Sequence, residues 1–114
     1  MRKDQGVPTK TFNPHGLEKA ATQVVGILRA LANERRLMIL CKLVEWGEGN
    51  VNSLAEAAGL SQSALSQHLA KMRDEGLVTF RRESQTLWYR IADTRIEDLL
   101  ATLHKLYCKP NKRR

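Results

Sequence analysis

Between Leu60 and Leu69 the chain reads Leu-Ser-Gln-Ser-Ala-Leu-Ser-Gln-His-Leu. On a helix, this run turns Leu65, Leu69 and Met72 to one face and leaves Gln62, Ser63, Ser66, Gln67, Ala70 and Lys71 away from it. The outward set is short, polar and nearly uncharged over its first two turns. Serine hydroxyls and glutamine amides both donate and accept hydrogen bonds, which suits base edges in a DNA major groove; glutamine pairs well with adenine. Ser61 and the unpaired N–H groups of the first turn suit a phosphate, and His68, within the same run, is a further phosphate candidate. The same residues also fit an ordinary solvated helix.

The other reactive groups are thiols. Cys41 and Cys108 are the two cysteines of the chain. Two are too few for the disulfide framework of a small secreted protein, so the expected setting is reducing and cytoplasmic. There, any pairing acts as a switch rather than a staple. Each thiol also has an inert reading. Cys41 lies beside an apolar stripe, where cysteine packs as a small hydrophobe, and Cys108 ends a helix that frays.

These groups need elements to hold them. Met1 to about Gly16 is polar and rich in proline and glycine, and is expected to be a flexible arm (1–16). Helical periodicity runs from Leu17 to Ala32, with Ala21, Val24, Val25, Leu28 and Leu31 as its stripe. Asn33 caps a second helix reaching Trp46, with Leu37, Leu40, Leu43 and Val44 inward. A short helix follows over Val51–Ala58, where Ser53 and Glu56 form a capping box if it starts late. Gly59 ends it in the left-handed conformation, and Ser61 caps the helix Gln62–Glu75, which Gly76 stops. Helix, glycine turn and serine-capped helix outline a helix-turn-helix.

Past Gly76 the period becomes 2. Val78 and Phe80 alternate with polar neighbours, as do Leu87, Tyr89 and Ile91, and Arg82–Gln85 links the two runs into a hairpin. Arg81 and Arg82 approach the tip and Gln85 leaves it, so the hairpin suits phosphates or a minor groove. Glu83 at the tip speaks against every wing residue touching phosphate. The same charges also guard a solvated edge against aggregation. A last helix starts near Asp93 or Thr94, with Thr94 and Glu97 as a capping box and Ile96, Leu99, Leu100, Leu103 and Tyr107 along one face. Residues 109–114 form a basic tail. The expected fold is mainly α with a β-wing: a winged helix-turn-helix over 17–108 in the order helix, helix, helix, helix, strand, strand, helix.

Nineteen Lys and Arg against 12 Asp and Glu give the 114-residue chain a net charge of +7. That excess favours a polyanion, either nucleic acid or an anionic membrane surface. No apolar run approaches the roughly 20 residues of a membrane span, and Met1–Lys10 holds no apolar core of a signal peptide. Catalysis finds little support: there is no Gly-rich phosphate loop, nucleophile elbow or H-E-x-x-H. A thiol-based enzyme remains the third reading after a regulator controlled by thiols and one controlled by metal or by nothing.

Three segments, Leu31-Ala-Asn-Glu-Arg-Arg-Leu-Met-Ile-Leu40, Leu60–Leu69 and Met72-Arg-Asp-Glu-Gly-Leu77, resemble the ArsR/SmtB family of bacterial repressors. The resemblance spans about Leu17 to Cys108. It implies a sequence-specific regulator that binds double-stranded operator DNA as a homodimer, paired through its first and last helices. Many members bind metal through a Cys-x-Cys motif before the recognition helix, but Asn50–Ala58 holds no Cys or His. Others use Asp and His on the last helix; here Asp93 is followed by Arg95, and His104 lacks a complete set around it. No metal and no cofactor are therefore expected. Cys41 and Cys108 resemble the cysteine pair of the HlyU/BigR/SqrR branch, which implies a disulfide or polysulfide switch responding to reactive sulfur or oxidants.

Overall fold

The computed structural model describes residues 12–108. The expected arm lies outside the described residues up to residue 11, as does the tail 109–114.

Asn13 opens the first helix, α1 (Pro14–Lys19): its Oδ1 accepts from the Gly16 N–H at 3.1 Å, and Pro14 stands at the first helical position, where its missing N–H costs nothing. Helix therefore begins before Leu17. It does not run unbroken to Ala32, because Ala20 leaves helical geometry (φ −92°, ψ 6°) and α2 (Ala21–Leu31) starts afresh. The described residues thus hold one more helix than the periodicity implies.

Asn33 caps α3 (Glu34–Trp46) by accepting from the Arg36 N–H at 3.1 Å, and Gly47 at φ 84° ends it. Asn50, rather than the Ser53/Glu56 box, caps α4 (Val51–Ala58), accepting from the Ser53 N–H at 2.9 Å. Asn50 sits one position before the first helical residue, so the box forms one turn too late to compete. Gly59 takes the left-handed conformation (φ 67°, ψ 36°), and Ser61 Oγ accepts from the Ala64 N–H at 3.1 Å to cap α5 (Gln62–Asp74).

Strands β1 (Val78–Glu83) and β2 (Thr86–Ile91) pair antiparallel, with Val78 opposite Ile91 and Glu83 opposite Thr86. The loop is therefore only Ser84-Gln85, and Arg82 and Glu83 belong to the strand. Gly49 adds a one-residue bridge to the outer edge of β2, exchanging both backbone hydrogen bonds with Tyr89 (2.9 and 2.8 Å). Asp93, not a Thr94/Glu97 box, caps α6 (Thr94–Tyr107), accepting from the Arg95 N–H at 2.9 Å.

The core gathers under α5. Ile39, Leu40 and Leu43 of α3, Leu54 of α4, Leu65, Leu69 and Met72 of α5, Val78 of β1, and Ile96 and Leu100 of α6 are buried together. On α3, Ile39 replaces the expected Leu37 among the deepest residues, while Met38 is exposed. On α2 only Ala30 and Leu31 are buried; Val25 and Leu28 stand in solvent.

Candidate nucleic-acid interface and thiol pair

Helix α5 divides as its sequence implies. Leu65, Leu69 and Met72 have no exposed surface, whereas Ser61, Gln62, Ser63, Ser66, Gln67 and Lys71 are exposed and His68 is half-buried. Within the described residues, Gln62, Ser63, Ser66, Gln67 and Lys71 spend no side chain on an internal hydrogen bond. Their donors and acceptors face outward. The start of α5 also meets the wing tip: Gln62 and Gln85 line one groove of about 390 Å³ with both polar (Asn50, Asn52) and apolar (Val51, Leu87) neighbours.

Two adjacent arginines of α3 hold this helix-turn-helix at both ends. Arg35 Nη1 donates to the Ala58 carbonyl at 3.1 Å and to that of Gly59 at 3.5 Å, meeting the negative end of α4 at the turn. Arg36 Nη1 donates to Glu75 Oε1 at 3.1 Å, at the far end of α5. Sequence reasoning missed both, because each partner lies more than 20 residues away; only the Glu-Arg-Arg run on a partly apolar helix hints at them. The guanidinium of Arg73 also lies 4.4 Å from the Phe80 ring centroid, joining α5 to β1.

On the wing, Arg82 and Gln85 are exposed, and Arg82 has no ion pair among the described residues. Arg81 differs. Its Nε and Nη2 donate to the two carboxylate oxygens of Glu48 at 2.9 and 3.0 Å, and its Nη1 donates to Glu83 at 3.2 Å. These pairs hold the Glu48 carboxyl below its usual range and keep Arg81 charged. Glu48 is a residue that the sequence did not single out.

Cys41 projects from α3 and Cys108 closes α6, its N–H donating to the His104 carbonyl at 2.8 Å. Both are free and exposed, and α3 packs against α6. Although the Cys41 residue is exposed, partial desolvation where its side chain leaves α3 pushes its thiol up, the nearby charge of Cys108 pushes it further, and Lys42 pulls it back. The Cys108 sulfur thus lies within electrostatic reach of Cys41. Around the last helix, Asp93 is engaged by Arg95 at 3.0 and 2.7 Å. No group of three or more His, Cys, Asp or Glu side chains converges among the described residues.

The geometry agrees with known proteins. A family model described as "Bacterial regulatory protein, arsR family" matches residues 33–79, from the cap of α3 into β1. Transcriptional activator HlyU of Vibrio cholerae is 46% identical over 101 residues, covering 89% of this chain and 93% of its own. The chain belongs to the ArsR family. A solved structure of reduced HlyU aligns with a TM-score of 0.76 at 46% identity, over 83% of this chain and 99% of that one. The repressor BigR of Xylella fastidiosa aligns at 0.80 with 33% identity, over 87% and 100%. A homodimeric winged helix-turn-helix domain of Mycobacterium bovis aligns at 0.68 with 29% identity, over 95% and 100%. As an ArsR-family member the chain is a DNA-binding transcription regulator with a winged helix-turn-helix, not an enzyme. Among the described residues, no helix is long and apolar enough to cross a membrane.

Proposed function

We propose that this ArsR-family regulator acts in the cytoplasm as a homodimer on operator DNA, and that Cys41 and Cys108 release it by becoming linked. Helix α5 enters the major groove, with Gln62, Ser63, Ser66 and Gln67 against base edges and Ser61, His68 and Lys71 toward phosphates. Arg82 and Gln85 of the wing reach the flanking backbone.

The dimer pairs α1–α2 and α6 across a two-fold axis. In its support, Leu17, Val25 and Leu28 at one end of the chain, and Leu106 and Tyr107 at the other, are exposed apolar side chains that a monomer leaves in water.

The observation that carries the switch is the exposure of both thiols on two helices packed against each other. A solved structure of the relative HlyU, aligned over nearly its whole length, is of the reduced protein. An organic hydroperoxide takes two electrons from the pair and leaves as alcohol and water, and the disulfide forms. A low-molecular-weight persulfide instead hands its outer sulfur to one thiol and departs as a thiol. The second cysteine attacks that protein-bound persulfide to give a disulfide and hydrogen sulfide. Two persulfidated cysteines condense to a trisulfide with loss of hydrogen sulfide. Any of these ties α3, which holds the helix-turn-helix through Arg35 and Arg36, to the end of the dimer helix. Half-sites lie about 34–36 Å apart, so a small rotation of the two α5 helices loses one of them.

Mass spectrometry after persulfide treatment tests the linkage. The expected product joins the Cys41 and Cys108 peptides within one chain, with or without added sulfur. Modification of each cysteine separately, never joined, contradicts it.

A further inference from the structure

Opposite residues of an antiparallel pair share a face, and neighbours along a strand alternate. The register therefore puts Phe80, Tyr89, Arg82 and Leu87 on one side of the wing, and Arg81, Trp88, Glu83 and Arg90 on the other. Phe80 lies under Arg73 of α5, so the first side is the one toward the recognition helix. Arg81 is on the far side. Because Gly49 bridges Tyr89, its neighbour Glu48 runs alongside Arg90, whose charge also lowers the Glu48 carboxyl. Glu48 thus reaches across the whole width of β2 to grip Arg81 on β1 with both oxygens. The Gly49 end of the connector is tightly packed, since a Cβ there would meet Leu54 and Trp46 at 3.1 Å.

We propose that Arg81 is a positioning residue and not a phosphate contact: with Glu48 it braces the wing against the α3–α4 connector, so that Arg82 and Gln85 meet the DNA backbone at a fixed angle. The proposal rests on the operator-binding reading above. It follows from donor accounting. Three of the five N–H donors of the Arg81 guanidinium are already spent on the carboxylates of Glu48 and Glu83, which also counter its charge, so a phosphate meets a neutralised arginine on the far side of the wing. Arg82 has no such competitor among the described residues. The two-pronged pair also requires an arginine, because a lysine ammonium cannot match both oxygens in one plane.

The test measures binding of the reduced protein to a duplex selected from a random pool, and to a scrambled duplex, across a salt series. The variants are Glu48→Gln, Arg81→Gln, Arg81→Lys, Glu48→Gln with Arg81→Gln, and Arg82→Gln. Bracing predicts that Glu48→Gln weakens operator binding by about tenfold, within the coupling range of one ion-pair network, and that the double variant is no weaker than Arg81→Gln. Scrambled-duplex binding and the salt slope stay unchanged in these variants, whereas Arg82→Gln lowers the slope by about 0.9. Arg81→Lys, which keeps charge and fold, is as weak as Arg81→Gln. Tighter or unchanged operator binding by Glu48→Gln overturns the proposal, as does a slope lowered by Arg81→Gln or near-normal binding by Arg81→Lys. A wild-type protein that binds both duplexes equally overturns the operator reading itself.

Discussion

The guanidinium of Arg36 and the carboxylate of Glu75 meet at 3.1 Å across 39 residues of sequence, with the arginine side chain only 10% exposed and the glutamate 42% exposed. This unequal burial makes the pair asymmetric. Glu75→Ala strands a buried cation and should cost about 2 kcal/mol, between an exposed pair and a fully buried one because one partner is half in water. Arg36→Met keeps apolar volume on α3 and leaves only a glutamate that water can take back, so its cost should stay below about 1 kcal/mol. Urea unfolding at one fixed protein concentration separates the two. Equal losses would mean that the pair contributes through packing alone.

Leu28 of α2 is 51% exposed in a single chain and lies on the face assigned to the partner. Leu28→Glu should place a carboxylate in an apolar interface and raise the dimer dissociation constant roughly a hundredfold, about 3 kcal/mol. Sedimentation should show a helical monomer that no longer holds the operator. A dimer of unchanged strength would move the interface away from α2.

Partial desolvation and the charge of Cys108 both hold the Cys41 thiol above its ordinary range. At neutral pH Cys41 is therefore protonated, and its alkylation should accelerate as pH rises past the ordinary thiol range. Cys108→Ser removes one of the two causes, so the midpoint of Cys41 alkylation should move to lower pH. An unchanged midpoint would mean that the sulfurs do not sense each other in solution.

Ser84 opens the two-residue wing turn at φ 56°, where a side chain is strained. Ser84→Gly should stabilise the fold by about 0.5 kcal/mol, after allowance for the extra freedom glycine gives the unfolded chain. Thermal unfolding reads it. A lower melting temperature would show that the Ser84 side chain supports the turn.

Local signals are legible in the sequence because their partners are local. Asn33 and Ser61 each cap a helix through an N–H three residues on, and Gly59 needs only its own backbone freedom. The inward stripe of α5 follows from its period alone. The sequence is ambiguous where two local solutions compete or where tertiary structure decides. Asn50 precedes Ser53 and Asp93 precedes Thr94, and in each case the earlier oxygen reaches the helix start first. The break at Ala20 carries no glycine or proline to announce it. Arg35, Arg36 and Glu48 matter through partners 23, 39 and 33 residues away, which periodicity cannot supply. Arg81 looked like its neighbour Arg82 for the same reason: only the strand register shows that they face opposite sides.

The most direct test of thiol control is operator binding by fluorescence anisotropy, with reduced protein and protein treated with a low-molecular-weight persulfide, in wild type and in the Cys41→Ser, Cys108→Ser and double variants. All four reduced proteins should bind alike, because neither thiol lies on the α5 face. Persulfide should weaken wild-type binding at least about tenfold, or 1.4 kcal/mol, leave every serine variant bound, and be reversed by a reductant. Release of the double variant by the same treatment would contradict the account.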